Sequence, residues 1–384
     1  MAMVYVDSLN AIYPTNWEKH KLHDLCTINY GQSPNRILDQ DGIYPVVGTS
    51  GTTRKGNDYF IDGETVIIGR KGSIAKPYYY NEKIWVIDTA FFTSDHKNLD
   101  CRWLFYYLDN SKLARLNEST GVPSLSRATL YNIELWCPPI LEQQKISQIL
   151  STWDRAIERV QRLIEAKQRQ KNQLVSRLLS GQKRFPGFHD EWKQVKLGAF
   201  LHPKFRKVVK PAGAYLRLGI RSHGKGTFTS VVDDPETIAL THLFQARKDD
   251  LIVNITFAWE GAIALVGPDG DGALVSHRFP TYVFDTSKML PEYFKHLMIT
   301  DRFFYELDLI SPGGAGRNRV MNKGDFLKIT VAVPDIEEQK KIAGVLGGMD
   351  EQIALLKKYL EKLKKQKKGL MQKLLTGEIR VKVD

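Results

Sequence analysis

The chain has 384 residues, of which 42% are hydrophobic, so it can bury the cores of two or three domains and is not a disordered protein. Its apolar runs are far shorter than the roughly 20 residues that cross a bilayer, and the N-terminus lacks a signal pattern, so we expect a cytoplasmic protein. The formal charge of +12 favours a polyanionic partner.

Residues 1–137 have the pattern of a mixed α+β domain. Short runs with period-two alternation, such as Thr65 to Ile68 and Ile84 to Ile87, predict strands, and Arg102 to Leu108 predicts an amphipathic helix. The domain carries 14 basic and 15 acidic side chains. Its bulk charge therefore cannot hold a polyanion.

Three cysteines, Cys26, Cys101 and Cys137, are widely spaced and form no CxxC or Cys/His cluster. Disulfide frameworks and zinc sites require paired or clustered ligands. We therefore expect three small buried thiols.

Residues 138–181 predict a long helix. Apolar positions recur in alternating steps of four and three, as in a coiled coil, and are interrupted by Lys167 and Lys171. Pro138 stands at the N-terminal end, where a missing N–H is harmless, and Gly181 stands where a left-handed cap is expected. The seam consists of Ile146, Leu150, Trp153, Ile157, Val160, Ile164, Leu174 and Leu178.

Residues 182–333 have the pattern of a second mixed α+β domain. Leu251 to Ile255 and Thr281 to Phe284 predict strands, and Glu292 to Met298 predicts a helix. Apart from its ends, this domain does not align with the first, so the two domains share a frame and differ in their middles.

Residues 334–384 predict a second long helix and a C-terminal tail. The seam follows the same steps, with one interruption at Lys367, and we expect the two seams to pack against each other; the alternative is that each binds a partner's helix. The seam consists of Ile342, Leu346, Met349, Ile353, Leu356, Leu360, Leu363, Leu370 and Leu374. This helix also carries a row of exposed lysines, which we interpret as a solvated face in preference to a DNA contact. They are Lys357, Lys358, Lys362, Lys364, Lys365 and Lys368.

The two helical segments are an internal repeat. An offset of 196 aligns residues 138–181 with 334–377 without a gap, and 16 of the 44 positions are identical. A weaker match at an offset of 175 pairs Trp17 with Trp192, at the start of each domain. Residues 138–184 carry 10 basic and 4 acidic side chains and residues 334–384 carry 12 and 8, so these segments hold ten of the twelve excess charges.

Guanidinium, amide, imidazole and ammonium groups in loops are the candidates for DNA contact, because such groups reach base edges and phosphates. In the first domain the candidates are Asn35, Arg36, Arg54, Lys55, Arg70, Lys71 and Arg127. In the second domain they are Arg217, Arg221, His223, Lys225, Asn254, Trp259, His277, Arg278, Arg317, Asn318 and Arg319.

Sequence patterns of catalysis and metal binding do not fit this chain. The stretch from Gly219 to Gly226 is nearly a P-loop, but Gly226 replaces the hydroxyl residue that holds magnesium. Cys137-Pro138-Pro139-Ile140 lacks the amide and the aromatic residue of the amino-methylation signature. We therefore expect no catalytic residue and no metal ligand in the chain.

The order of these motifs resembles the DNA-specificity subunit of type I restriction-modification enzymes across essentially the whole chain. The resemblance rests on motifs that occur in order along both repeats: Trp17 with Lys21-Leu22, Tyr44-Pro45-Val46-Val47-Gly48, Ile67-Ile68-Gly69-Arg70-Lys71-Gly72, Leu141-Glu142-Gln143-Gln144-Lys145-Ile146, Leu178-Leu179-Ser180-Gly181, and Arg184-Phe185-Pro186-Gly187-Phe188 leading into Trp192.

The resemblance implies two target-recognition domains spaced by an antiparallel coiled coil, with a pseudo-twofold repeat. It also implies two methyltransferase subunits docked on the helices and motor-nuclease subunits for restriction, with S-adenosylmethionine, ATP and Mg²⁺ bound by those partners. Because the two middles differ, we expect an asymmetric bipartite target on double-stranded DNA. Its half-sites should be centred on the order of one helical turn, about 10 base pairs, apart.

Two other functional classes compete with this interpretation. A stand-alone DNA-binding regulator would need more positive charge on its readers than the first domain carries. A coiled-coil scaffold without a nucleic-acid role would not need two divergent, loop-rich domains. Weak, strongly salt-sensitive DNA binding by the isolated chain is the expectation of the favoured reading.

Overall fold

A computed structural model of the chain describes residues 13–314 and 319–383. The chain divides into two compact units: unit 1 is Met1–Arg162 with Lys358–Asp384, and unit 2 is Leu163–Lys357. Each unit therefore combines one globular domain with parts of both long helices. Within the described ranges, no helix has the length and apolar character that a membrane span requires.

The strands of unit 1 are short and alternate between buried and exposed side chains where one face meets solvent. They are β1 (Glu18–Lys21), β2 (Thr27–Tyr30), β3 (Tyr44–Gly48), β4 (Gly51–Gly56), β5 (Glu64–Gly69), β6 (Tyr78–Asn81), β7 (Trp85–Val86), β8 (Ala90–Ser94) and β9 (Glu134–Cys137). The helices are α1 (Leu22–Leu25), α2 (Cys101–Asn110), α3 (Arg127–Tyr131) and α4 (Ile140–Leu179), with a 3₁₀ turn at Leu113–Leu116.

Three sheets organise unit 1. Strands β1 and β9 pair antiparallel and close the domain where its two ends meet. A four-stranded sheet has the order β2-β8-β5-β6, and a three-stranded sheet has the order β4-β3-β7. Helix α2 packs on β5 with an apolar face that includes the fully buried Trp103 and Leu104.

Unit 2 repeats this plan with a larger third sheet. Its strands are β10 (Lys193–Lys196), β11 (Leu201–Pro203), β12 (Lys207–Val209), β13 (Tyr215–Ile220), β14 (Thr227–Val232), β15 (His242–Gln245), β16 (Leu251–Val253), β17 (Ile263–Leu265), β18 (Leu274–Val275), β19 (Thr281–Phe284) and β20 (Thr330–Val333). Its helices are α5 (Pro291–Leu297), α6 (Asp301–Leu309), α7 (Lys323–Phe326) and α8 (Ile336–Leu375).

The sheets of unit 2 correspond one by one to those of unit 1. Strands β10 and β20 close the domain as β1 and β9 do, and β11-β19-β16-β17 matches β2-β8-β5-β6 in connectivity. The third sheet has five strands, β12-β15-β18-β13-β14, against three in unit 1. The frame is thus repeated, and the extra length of the second domain lies in this sheet.

Helices α4 and α8 are 40 residues each, about 60 Å at 1.5 Å per residue. In unit 1 the start of α4 packs against the end of α8, with Ile146 and Leu150 in one core with Leu374. In unit 2 the end of α4 packs against the start of α8, with Leu178 in one core with Ile342. The helices therefore run antiparallel, and the predicted α+β fold with a coiled-coil repeat is confirmed.

Two lysines that interrupt the predicted seams each form an ion pair with an aspartate of the other long helix. In unit 2, Lys171 Nζ lies 2.5 Å from Asp350 Oδ1, and in unit 1, Lys367 Nζ lies 2.5 Å from Asp154 Oδ1. Their side chains are 12% and 14% exposed. These lysines interrupt the apolar seam, as predicted, but the long lysine stem is buried and its charge is paired.

The helix ends and the cysteines follow their predicted chemistry. Gly181 and Gly377 have φ values of 73° and 75°, the left-handed conformation expected after a helix. All three cysteines are buried free thiols. Burial raises the pKa of Cys26 to about 12, so this thiol stays protonated.

The predicted strand from Leu251 to Ile255 is shorter in the structure and ends at Val253. Asn254 turns the chain there, because its Oδ1 accepts a hydrogen bond from the Thr256 N–H at 3.1 Å. The turn moves Asn254 from a strand to the rim of a cavity described below.

Candidate nucleic-acid interface

Two arginines stack on an exposed tyrosine in unit 1. The Cζ atoms of Arg70 and Arg127 each lie 5.2 Å from the ring centroid of Tyr30, which is 47% exposed. Arg70 directly follows β5 and Arg127 is the first residue of α3, so both lie at the ends of regular elements. Stacking holds each guanidinium in a defined plane, as recognition of a base edge or a phosphate requires. Sequence reasoning identified the arginines and missed Tyr30.

Backbone hydrogen bonds fix the loop that carries these groups. The Gly72 N–H donates to Pro123 O at 2.8 Å, and the Leu125 N–H donates to Arg70 O at 2.9 Å. Gly72 has a φ of 86°, which a side chain would disfavour. Lys71, next to this glycine, is exposed. Arg70, Lys71 and Arg127 therefore form one surface, which we call the first reader surface.

A second set of predicted residues lies along β4. The Asp39 N–H donates to Lys55 O at 3.2 Å, which holds the preceding loop against the strand. That loop carries Asn35 and Arg36, and β4 carries Arg54 and Lys55; all four side chains are exposed. The structure thus places these four residues on one stretch of unit 1, formed by β4 and the loop between β2 and β3.

Unit 2 contains a cavity of about 580 Å³ on the side of its five-stranded sheet. Its polar lining includes two of the predicted DNA-contact residues, Arg217 and Asn254. Ser222, Glu260 and Ser276 also line it. The Ser222 hydroxyl donates to Glu260 Oε2 at 2.8 Å. Phe228, Phe257 and Phe279 complete the wall. Flat aromatic walls with a few fixed polar groups suit the edge or face of a base.

The tip of the β13–β14 hairpin stands beside this cavity and carries Arg221, His223 and Lys225. The His223 N–H donates to Glu260 O at 2.7 Å, and its φ of 61° marks a tight turn. Arg221 Cζ lies 5.0 Å from the centroid of Phe228, and its Nη1 donates to Thr227 O at 2.6 Å. The near P-loop stretch is therefore a hairpin, with three exposed basic or imidazole groups at its end.

Trp259 and Arg319 are largely engaged within unit 2. The Trp259 indole N–H donates to Thr256 O at 3.2 Å. Arg319 Cζ lies 4.9 Å from the Trp259 ring, and its guanidinium donates to Asp308 Oδ1 at 2.7 Å and to Ser311 O at 3.0 Å. These contacts hold the two side chains in place within unit 2 and position the loop before α7.

Of the other candidates in unit 2, His277 and Arg278 are exposed side by side. The Ile255 N–H donates to Arg278 O at 3.0 Å, which ties their loop to the cavity rim. Arg317 and Asn318 lie outside the described residues.

A buried carboxylate anchors each domain to its helix. In unit 1, Glu142 accepts from the Trp17 indole at 3.3 Å and from Arg380 Nε and Nη2 at 2.7 and 2.8 Å. Glu142 is 2% exposed. The hydrogen bonds to Glu142 raise the pKa of Arg380, and the two planar groups meet as a bidentate pair.

The same anchor recurs in unit 2. Glu338 is fully buried and accepts from the Trp192 indole at 3.2 Å and from Arg184 Nε and Nη2 at 2.6 and 2.7 Å. Arg184 and Arg380 are 196 residues apart, the offset of the repeat. Because the predicted repeat ended at Gly181 and Gly377, Arg184 was recognised only as part of a motif and Arg380 was missed; three more aligned residues would have paired them.

Comparison with known proteins identifies the frame that these anchors hold. The family profile described as "Type I restriction modification DNA specificity domain" matches residues 14–168 and again 190–365. The chain is 24% identical over 403 aligned positions to the protein named "Type I restriction enzyme MjaVIII specificity subunit" from Methanocaldococcus jannaschii, covering 96% of this chain and 94% of that protein.

Solved structures share the fold. The S subunit of a type I restriction-modification system from M. genitalium matches with a TM-score of 0.66 at 15% identity, over 98% of this chain and 99% of that one. A chain from a study of complex assembly in a type I restriction-modification system matches with a TM-score of 0.51 at 13% identity, over 96% and 99%. The profile covers both repeats, and the chain therefore belongs to the family of type I restriction-modification DNA specificity subunits, which are non-catalytic.

Proposed function

We propose that each repeat reads one half of an asymmetric bipartite DNA target. One observation carries this proposal: the Trp–Glu–Arg anchor and the closing strand pair occur twice, while the sheets they hold have three strands in one unit and five in the other. A repeated frame with different readers fits two half-sites of different sequence.

We assign base and phosphate contact to exposed and half-buried polar groups of each unit. In unit 1 these are the first reader surface and the four residues along β4. In unit 2 they are the cavity rim with the β13–β14 tip, together with His277 and Arg278. Stacked arginines suit bidentate recognition of guanine, and the amide of Asn254 suits adenine.

The boundaries we propose for the two recognition domains are residues 1–137 and 182–333, with spacer helices at 138–181 and 334–384. In the structure, β9 ends at Cys137 and β20 ends at Val333, and each long helix begins three residues later. A variant that lacks one of these recognition domains should lose recognition of one half-site and keep recognition of the other.

We further propose that two methyltransferase subunits bind this chain and carry S-adenosylmethionine, and that restriction subunits add ATP- and Mg²⁺-dependent chemistry in the cytoplasm. The repeated frame supports this, because two identical partners require two equivalent docking surfaces. Co-purification of the chain with its methyltransferase in a one-to-two ratio is the expected result. Absence of a co-purifying methyltransferase would favour the stand-alone regulator.

Selection of binding sites from a random duplex library tests the target directly. The complex should recover two short unlike motifs at a fixed separation of about one helical turn. Recovery of a single contiguous motif or a palindrome would contradict the assignment of one half-site to each repeat.

A further inference from the structure

Unit 1 contains a groove of about 760 Å³ between the end of α2, the start of α4 and the end of α8. We call it the basic groove. Its charged lining comprises Lys76, Asp109, Lys112, Arg115, Asp154, Lys364, Lys367 and Lys368. Six basic side chains thus face two carboxylates in one concave surface, and concave low-dielectric walls strengthen such a field.

The surface that a ligand meets in this groove is charged. Of its apolar members, Leu113, Leu116, Ile133 and Met371 belong to the core of unit 1 and are at most 9% exposed, and Ile157 is half-buried. Lys76, Lys112, Arg115, Lys364 and Lys368 are exposed. The exposed side chains of the lining are therefore mainly cations, which suits a polyanion.

One of the two carboxylates is already neutralised. Asp154 accepts the Tyr106 hydroxyl at 2.6 Å and the Lys367 ammonium at 2.5 Å. Lys364 forms an exposed pair with Glu361 at 2.9 Å, and such pairs exchange readily for a phosphate. Lys76 and Lys368 add two exposed cations to the groove, and Asp109 is its one other carboxylate among the described residues.

One residue of the basic groove, Lys76, lies on the loop that carries part of the first reader surface. Lys76 is five residues after Lys71 on one loop. The opposite wall, at Leu116, leads into Asn117, whose Oδ1 accepts the Ser124 N–H at 2.9 Å. Five residues of chain span at most about 18 Å, so the groove adjoins the reader surface within a few phosphates of duplex.

The equivalent groove of unit 2 lacks this charge. It measures about 690 Å³ and is lined by Lys171, Arg302, Asp301 and Glu306, two charges of each sign. At the offset of 196, Gln168 and Asn172 occupy the positions of Lys364 and Lys368. The fold therefore tolerates amides at these sites, and the lysines of unit 1 are not a structural requirement.

We propose that the basic groove binds backbone phosphates of the DNA next to the half-site that unit 1 reads, so that one side of the target is gripped by helix α8 and the other is not. This inference rests on the proposed function and adds a phosphate site to it. It also accounts for how a recognition domain with no net positive charge holds DNA: the cations come from the helix beneath it.

The test uses the full-length chain and a fluorescent 40-base-pair duplex of random sequence, with binding measured by anisotropy over a series of salt concentrations. The variant K364Q/K368N carries the amides that unit 2 has at the related helix positions. Loss of two phosphate contacts should lower the slope of log K against log salt by about 1.8 and weaken binding about ten-fold or more at low salt.

The control K358Q/K362Q removes the same charge from the same helix at residues outside the groove lining, and it should keep nearly the wild-type slope. Equal slopes for K364Q/K368N and wild type would overturn the phosphate site and leave DNA reading intact. An unchanged slope with weaker methyltransferase binding would assign the groove to an acidic protein segment instead. Absence of DNA binding by the wild-type chain at every salt concentration would contradict the proposed function itself.

Discussion

At the scale of single residues, the most informative contact is the stack of Arg70 and Arg127 on Tyr30. Each guanidinium lies 5.2 Å from the ring centroid, so the aromatic face orders two long side chains before any ligand arrives. Pre-ordered donors lose less entropy on binding than mobile ones. The stack is therefore expected to contribute to target selection in unit 1.

Removal of either arginine should weaken and relax recognition of one half-site. R70A and R127A are each expected to lower the affinity of the methyltransferase complex for its own target about ten-fold, from the loss of about 1–3 kcal/mol of discrimination. K97A removes an exposed cation elsewhere in unit 1 and serves as the control. If both arginine variants bound the target with the same affinity as K97A, the stack would have no role in target recognition.

The equivalent aspartates of the two long helices, Asp154 and Asp350, face different side chains in the two repeats. In unit 1, Tyr106 donates to Asp154 at 2.6 Å, while in unit 2, His296 Nε2 lies 4.0 Å from Asp350 Oδ2 and, among the described residues, makes no hydrogen bond. His296 is 1% exposed. Burial, with help from nearby Lys295 and Lys171 and against Asp350, lowers its pKa to about 4.

This shift predicts a pH-dependent stability for unit 2. Between pH 6.5 and about 4 the unfolded imidazole takes up a proton and the folded one does not, so stability falls as the pH falls through this window. The slope due to His296 is at most about 1.4 kcal/mol per pH unit. Urea unfolding of wild type and H296Q at pH 4.5, 5.5 and 6.5 measures it. The variant should show the smaller pH dependence, and identical slopes would contradict the assignment.

At the scale of elements, the long helices were predictable and the sheets were less so. A coiled-coil seam is written locally, every three or four residues, and both helices have the 40 residues that the pattern indicated. Strand order depends on pairing between distant segments, such as β3 with β7, which no local pattern encodes. Individual strands could be predicted from the sequence, but their order in the sheets could not.

The seam of α8 offers a matched pair of leucines. Leu346 is fully buried in the core of unit 2, and Leu355 on the same helix is 66% exposed. L346A should destabilise the protein by about 2–5 kcal/mol because it leaves a cavity. L355A should change the unfolding free energy by no more than about 0.5 kcal/mol. Chemical unfolding compares them, and similar costs would argue against the helix packing described here.

At the scale of the whole molecule, the repeat explains what sequence could and could not predict. Motifs in the frame, such as Glu142 and Glu338, repeat and so were found. Of their partners, Arg184 was recognised only within a motif and Arg380 was missed, because both follow the helices, where similarity is low. Reader residues do not repeat. Whether an arginine is exposed, as Arg127 is, or held internally, as Arg319 is, depends on loops that only the fold defines.

The central claim is that one chain reads two unlike half-sites, one with each repeat. The most direct measurement is long-read sequencing of N6-methyladenine in a host that lacks this system and expresses the chain with its methyltransferase. We predict one asymmetric motif of two short halves at a fixed separation, absent when the chain is omitted, with R70A relaxing one half only. A contiguous or palindromic methylated motif, or one that persists without this chain, would contradict the account.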